Sequence, residues 1–206
     1  MKLSRVAALV LFAASAAPAF ASSFVVDFET NWAYGSLVNS YYSGGTADDG
    51  SAGANLGVEF VNVGGLSNDV DFPNYYSGAP SPKGTAYATT FLPADRAYMN
   101  VAGGVAGGLS FYYSSPVDLV GAVKAYSGLN GTGTLLGSFD LSANSSSYDT
   151  WNAVTFQFGG LAHSFDLTGA ANVVGFDNIS AVPEPGTLAM LLAGGLGLAL
   201  RARRRG

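Results

Sequence analysis

The chain of 206 residues contains no cysteine. Disulfide staples, thiolate zinc sites and cysteine nucleophiles are therefore excluded. It contains a single histidine, His163. A multi-histidine zinc site cannot be assembled from it, and a Ser-His-Asp arrangement would have to use that one residue. Its setting, GLAHSF, is not a nucleophile elbow, and no G-x-S-x-G occurs. Positive charge is nearly absent from the middle of the chain. Between Ser22 and Val182 only Lys83, Arg96 and Lys124 are basic, against thirteen acidic residues, for a formal charge of −10. Such a surface repels phosphate backbones, so a nucleic-acid partner is not expected. The middle also lacks any long apolar stripe at the helical period.

What remains is rich in small and aromatic residues: 28 glycines, 13% aromatics and 49% hydrophobic residues with only 11% charged. Short apolar-aromatic runs alternate with Gly, Asn, Ser, Asp and Pro. These runs predict strands at 24–28, 57–63, 85–91, 97–101, 108–113, 119–126, 135–141, 152–158 and 173–179. Alternation is clearest in the eighth, where Val154, Phe156 and Phe158 share one face. GLNGTG and SANSSS read as loops. Nine short strands with turn signals between them predict an all-β fold, a single β-sandwich of jelly-roll type.

The two ends differ from the middle. Residues 1–21 have the parts of a secretory signal peptide: Lys2 and Arg5, an apolar stretch from Val6 to Ala17, and Ala19-Phe20-Ala21 before Ser22. That pattern predicts Sec-type export and cleavage between Ala21 and Ser22. Residues 182–206 form the other end, leaving 22–181 as the sandwich domain. Gly186 to Leu200 carries no charge. As a helix it would span about 22 Å, short of a hydrocarbon core of about 30 Å. Arg201, Arg203, Arg204 and Arg205 follow as a stop that stays on the cytoplasmic side. Pro183 and Pro185 keep the preceding stretch extended. A short anchor behind an extended segment is suited to a temporary hold.

Val182-Pro183-Glu184-Pro185, a hydrophobic segment and a terminal arginine cluster resemble, in that order and place, a PEP-CTERM sorting signal. The resemblance covers about 25 residues. It implies a Gram-negative bacterium that makes exopolysaccharide, and export across the inner membrane with transient anchoring there. It also implies processing by an exosortase-type membrane enzyme, then residence at the cell surface or in the extracellular matrix. A plain single-pass anchor without processing is the alternative.

A second resemblance lies at the domain's edges. Asp27-Phe28-Glu29 with Trp32 nearby, and Phe176-Asp177-Asn178-Ile179, look like the ends of jelly-roll carbohydrate-binding modules. In such modules carboxylates on adjacent first and last strands hold a structural calcium. By that analogy Asp27, Glu29, Asp177 and Asn178 are candidate Ca²⁺ ligands, with oxygen donors of the kind calcium takes. The same residues could equally face solvent or cap turns. Asp48 to Glu59 half-fits a calcium loop but has Gly50 and Ala52 where oxygens are needed. Asp69 and Asp71 form another acidic loop. Tyr75 and Tyr76, between Pro and Gly, are the expected exposed aromatic patch for stacking on a polysaccharide. Aromatic packing within the sandwich is the competing account.

Three functions follow. The first is an exported, non-catalytic surface or matrix protein with a structural or adhesive role in an exopolysaccharide envelope. The second is a calcium-dependent carbohydrate-binding module. The third is a polysaccharide-acting hydrolase, which needs two carboxylates at a set separation; acids are present but no pair is marked.

Overall fold

A computed structural model describes residues 23–67, 76, 78–81, 83–182 and 194. Among them are nine strands: β1 Val25–Val26, β2 Val58–Val61, β3 Val63–Ser67, β4 Gly84–Ala88, β5 Tyr98–Ser114, β6 Leu119–Tyr126, β7 Leu135–Leu141, β8 Asn152–Asp166 and β9 Gly175–Val182. One 3-10 turn, Thr168–Ala170, precedes β9. The expected all-β sandwich is what forms.

Every strand pairing is antiparallel. The main order is β3-β4-β9-β5-β8-β6-β7, with β1 beside β9 and β2 beside β5. A sheet this long cannot bury one face while flat, so it must fold over. The folding is done by β5 and β8. Their pairing breaks between Asn100/Val105 and between Ala106/Gly108. Gly104, Gly107 and Gly160 stand in this region at φ of +76°, +88° and +87°, a conformation that costs glycine little. The first part of β5 pairs with β2 and the end of β8. The last part pairs with the start of β8 and with β9. Each long strand thus serves both layers.

The core lies between those layers. Phe28, Phe60, Phe111, Phe156, Phe165, Met99, Leu109 and Leu141 are its largest fully buried side chains. Phe111 meets Phe139 and Phe176 edge-on at 6.2 and 5.6 Å, and Phe139 lies 5.3 Å from Phe156. Edge-to-face packing suits the aromatic quadrupole and helps fix the layer spacing.

No described helix is long and apolar enough to cross a membrane. Residues 1–22, with Ala19, Ala21 and Ser22, lie outside the described residues. So do Pro183, Glu184, Pro185 and Arg201, Arg203, Arg204 and Arg205, and all of the expected helix at 186–200 except Gly194.

Candidate functional site

Two features stand out, one at each side of the start of β9. The first is an open cleft of about 320 Å³ lined by Tyr34, Leu66, Tyr76, Tyr87, Tyr148, Asn172, Val173, Val174 and Gly175. Four of the nine are tyrosines, and none carries a carboxylate, imidazole or amine. Leu66 and Tyr87 come from the β3/β4 hairpin, whose register sets Leu66 opposite Thr85 and Gly64 opposite Tyr87. A side chain at Gly64 would strike the Tyr87 ring at 2.8 Å, so this glycine makes the space for it. Tyr87 pairs with Gly175 at the head of β9. Gly175 in turn leaves room for Trp151.

Tyr148 donates its hydroxyl hydrogen to the Val173 carbonyl at 2.7 Å, and Trp151 Nε1 donates to the Tyr148 carbonyl at 3.0 Å. Tyr148 sits at φ +58°, uncommon for a bulky residue. Tyr34 stands 71% exposed at the rim. Burial, and then the neighbouring Tyr34, push the Tyr87 phenol above its ordinary range. It therefore stays protonated at neutral pH, able to donate as well as accept.

Tyr76 corrects the sequence expectation. It is only 7% exposed, not part of a projecting patch. Its ring packs edge-on against Tyr148 and Trp151 at 6.3 and 6.4 Å, within a small cluster with Leu66 and Ala79. A ring packed against two others sheds more water than a lone exposed pair would. Tyr75 lies outside the described residues, as do Asp69 and Asp71. Trp32 and Tyr42 are core residues. What the sequence reading missed is that Tyr34, Tyr87 and Tyr148, spread over more than a hundred positions, line one cleft with Tyr76.

The second feature is the carboxylate group. β1 pairs with β9 through Val25/Ser180 and Val26/Ile179, which carries Asp27 toward Asn178. Asp177 is fully buried. Its carboxylate accepts from Ser81 N at 2.9 Å and Asn178 N at 2.8 Å. The Ser81 hydroxyl donates to Asn178 Oδ1 at 2.8 Å. Glu29 Oε1 accepts from Lys83 N at 2.6 Å, and Asp27 Oδ1 from Glu29 N at 3.3 Å. Burial pushes Asp177 up to about 7 against the pull of its two backbone donors, and the nearby Glu29 and Asp27 charges add to the rise. Phe28 and Asn178 take φ of +53° and +47°, so the backbone is strained on both strands here.

The four candidate calcium ligands are thus brought to one place. Their donor chemistry fits a hard cation: carboxylate and amide oxygens around an acid whose pKa is raised by burial, with some help from nearby negative charge. The side chains are not closed around a common point, however. Among the described residues, no three acidic or histidine side chains converge as a metal-binding group. Asp49, in the half-fitting calcium loop, accepts backbone N–H groups from Ala33 and Ser51 and so closes its own turn. His163 Nδ1 lies 3.1 Å from the Ala102 carbonyl, on the bend of the long strands.

Comparison with known proteins agrees with the reading of the tail. Residues 181–205 match the PEP-CTERM protein-sorting motif. That motif implies an exported protein, membrane-anchored sorting and exosortase processing. No curated protein matches the chain. Among solved structures, the chain resembles CsCBM6-3 from Clostridium stercorarium in complex with cellobiose, at 13% identity and TM-score 0.41, over 61% of this chain and 87% of that one. It resembles CBM35 from Paenibacillus barcinonensis at 15% identity and TM-score 0.39, over 62% and 94%. It also resembles the K1 cleaved adhesin domain of Lys-gingipain from Porphyromonas gingivalis W83, at 11% identity and TM-score 0.44, over 79% and 98%. These are loose likenesses of fold.

Proposed function

We propose that this exported protein holds polysaccharide in the tyrosine cleft without cleaving it, and so serves as a structural or adhesive component of an exopolysaccharide envelope. One observation carries the reading: four tyrosines and Asn172 around an open cleft with no charged group among its described lining residues. Sugar rings present apolar C–H faces and a rim of hydroxyls. Aromatic faces take the former, and phenol and backbone groups take the latter. Hydrolysis would need an acid and a base or nucleophile at the sugar, and none of the described lining residues is one.

The test is calorimetric titration of the full chain with soluble polysaccharides and their oligosaccharides. Tyr34→Ala and Tyr87→Ala are expected to weaken binding by about tenfold each, on the scale of one lost aromatic contact. Reducing ends should not increase over time. Failure of every glycan to bind would overturn the reading, and steady release of reducing ends would replace it with the hydrolase.

We also assign Ca²⁺ to the Asp27, Glu29, Asp177 and Asn178 group, in a structural role that steadies the β1/β9 edge. Binding would require Asp27 and Glu29 to turn toward Asp177, exchanging backbone donors for the ion.

A further inference from the structure

The connection from β4 to β5 carries two large apolar side chains in water. Phe91 is 85% exposed and its neighbour Leu92 65%. Single exposed hydrophobics are ordinary. These two are adjacent, and the backbone beneath them is bound almost residue by residue. Asp95 Oδ2 accepts from Phe91 N at 2.9 Å and from Leu92 N at 2.8 Å. Asp95 N donates back to the Leu92 carbonyl at 3.0 Å. Arg96 Nη1 donates to the carbonyls of Pro93 and Asp95 at 3.1 and 2.7 Å. Asn62 Nδ2 donates to the Arg96 carbonyl at 2.8 Å. The loop is ordered before any ligand arrives, which removes part of the entropy cost of binding there.

Its position is the second observation. Asn172, which lines the tyrosine cleft, also holds the root of this loop. Its Oδ1 accepts from Thr90 N at 3.3 Å, and its Nδ2 donates to the Thr90 carbonyl at 2.8 Å. Its backbone N donates to the Ala88 carbonyl at 2.8 Å. Asn172 takes φ +62°, a left-handed conformation that Asn tolerates better than most residues. One side chain therefore joins the cleft to the residue preceding Phe91. Charge narrows the occupant. The span from Ser22 to Val182 carries −10, and the loop's one cation is turned onto its own carbonyls. An anionic lipid surface is disfavoured, whereas a neutral sugar ring meets no such penalty.

We propose that Phe91 and Leu92 form an outer subsite contiguous with the tyrosine cleft, so that the ligand is a polysaccharide stretch of several sugars rather than a single sugar. This rests on the cleft's sugar-binding reading. Phe91 supplies a stacking face for sugars beyond those in the cleft, Leu92 widens it, and Asp95 positions both.

The experiment is titration of the full chain with disaccharides and hexasaccharides of the β-1,4-linked gluco, xylo and manno series. The hexasaccharide of the preferred series should bind about tenfold or more tighter than its disaccharide. Phe91→Ala should erase that gain and leave disaccharide affinity unchanged. Asp95→Ala, which keeps both side chains but releases the loop, should erase part of it. Both positions are on the surface, and a matching thermal melt for Phe91→Ala shows that the fold is retained. Equal affinity for both lengths, or a gain that survives Phe91→Ala, overturns the outer subsite and leaves the cleft reading standing. No binding to any series overturns both. Vesicle binding that Phe91→Ala abolishes reassigns the loop to a lipid surface and overturns the proposal.

Discussion

Asp177 is the residue whose surroundings most clearly predict a solution property. Its ordinary value is 3.8 and the fold lifts it to about 7. Between those two values the folded chain keeps a proton that the unfolded chain has released. The stability that Asp177 contributes is therefore fully present below about pH 4, falls as pH rises toward 7, and levels off above it. The drop should amount to a few kcal/mol at most, read from urea midpoints across that range. Asp177→Asn should flatten the slope. Calcium bound beside the ionised carboxylate should recover the loss, so added Ca²⁺ raises the melting temperature near pH 8 and much less near pH 4. A slope that persists in Asp177→Asn would place its origin in another group. A melting temperature indifferent to millimolar Ca²⁺ near pH 8 would remove calcium from the account.

At the scale of elements, the β3/β4 hairpin depends on two glycines in β3. A methyl group at Gly65 would meet the Trp32 ring at 2.4–2.7 Å, and Trp32 is held by its Nε1 bond to the Phe28 carbonyl at 3.0 Å. Gly65→Ala should cost about 1–3 kcal/mol of stability, as overpacking does, and lower the thermal midpoint. An unchanged midpoint would mean that Trp32 gives way freely.

The same glycines explain why β3 escaped the sequence reading. VGGLS has no alternation to see, because all five residues are buried. Strands β6 and β7 fall on the predicted 119–126 and 135–141. The runs at 97–101 and 108–113 proved to be one strand, since Gly103-Gly104 and Gly107-Gly108 bend β5 without ending it. β8 runs on to Asp166 through Gly159-Gly160 for the same reason. In both cases glycine was a bend in a ladder and not a break between strands. At the carboxylate edge, the resemblance to jelly-roll carbohydrate-binding modules pointed to Asp27, Glu29, Asp177 and Asn178, and the pairing of β1 with β9 puts the two segments side by side. The cleft was not legible. Its tyrosines come from separate hairpins and loops, and only the register of β3, β4 and β9 makes them neighbours.

At the scale of the whole chain, the domain and the sorting motif share residues. The motif begins at residue 181, and β9 runs to Val182, with Ala181 opposite Leu109 and Val182 opposite Gly108. The next residue, Pro183, has no N–H to donate to a ladder. Mass spectrometry of the mature protein should find a C-terminus beyond Val182, with the rest of the tail lost. An intact tail in cells that possess exosortase, or a cut inside β9, would contradict this.

β9 starts at the tyrosine cleft and ends at the sorting motif, about 23 Å away at the usual rise per residue. It is flanked by β5 on one side and by β4 and β1 on the other. A pull between a glycan held in the cleft, as proposed, and the tail before it is removed would run along this one strand. Its ladder bonds lie across the strand direction, so they share the load in shear instead of opening one by one like a zipper. The strand that joins the tyrosine cleft to the sorting motif is also the one placed to bear tension between them.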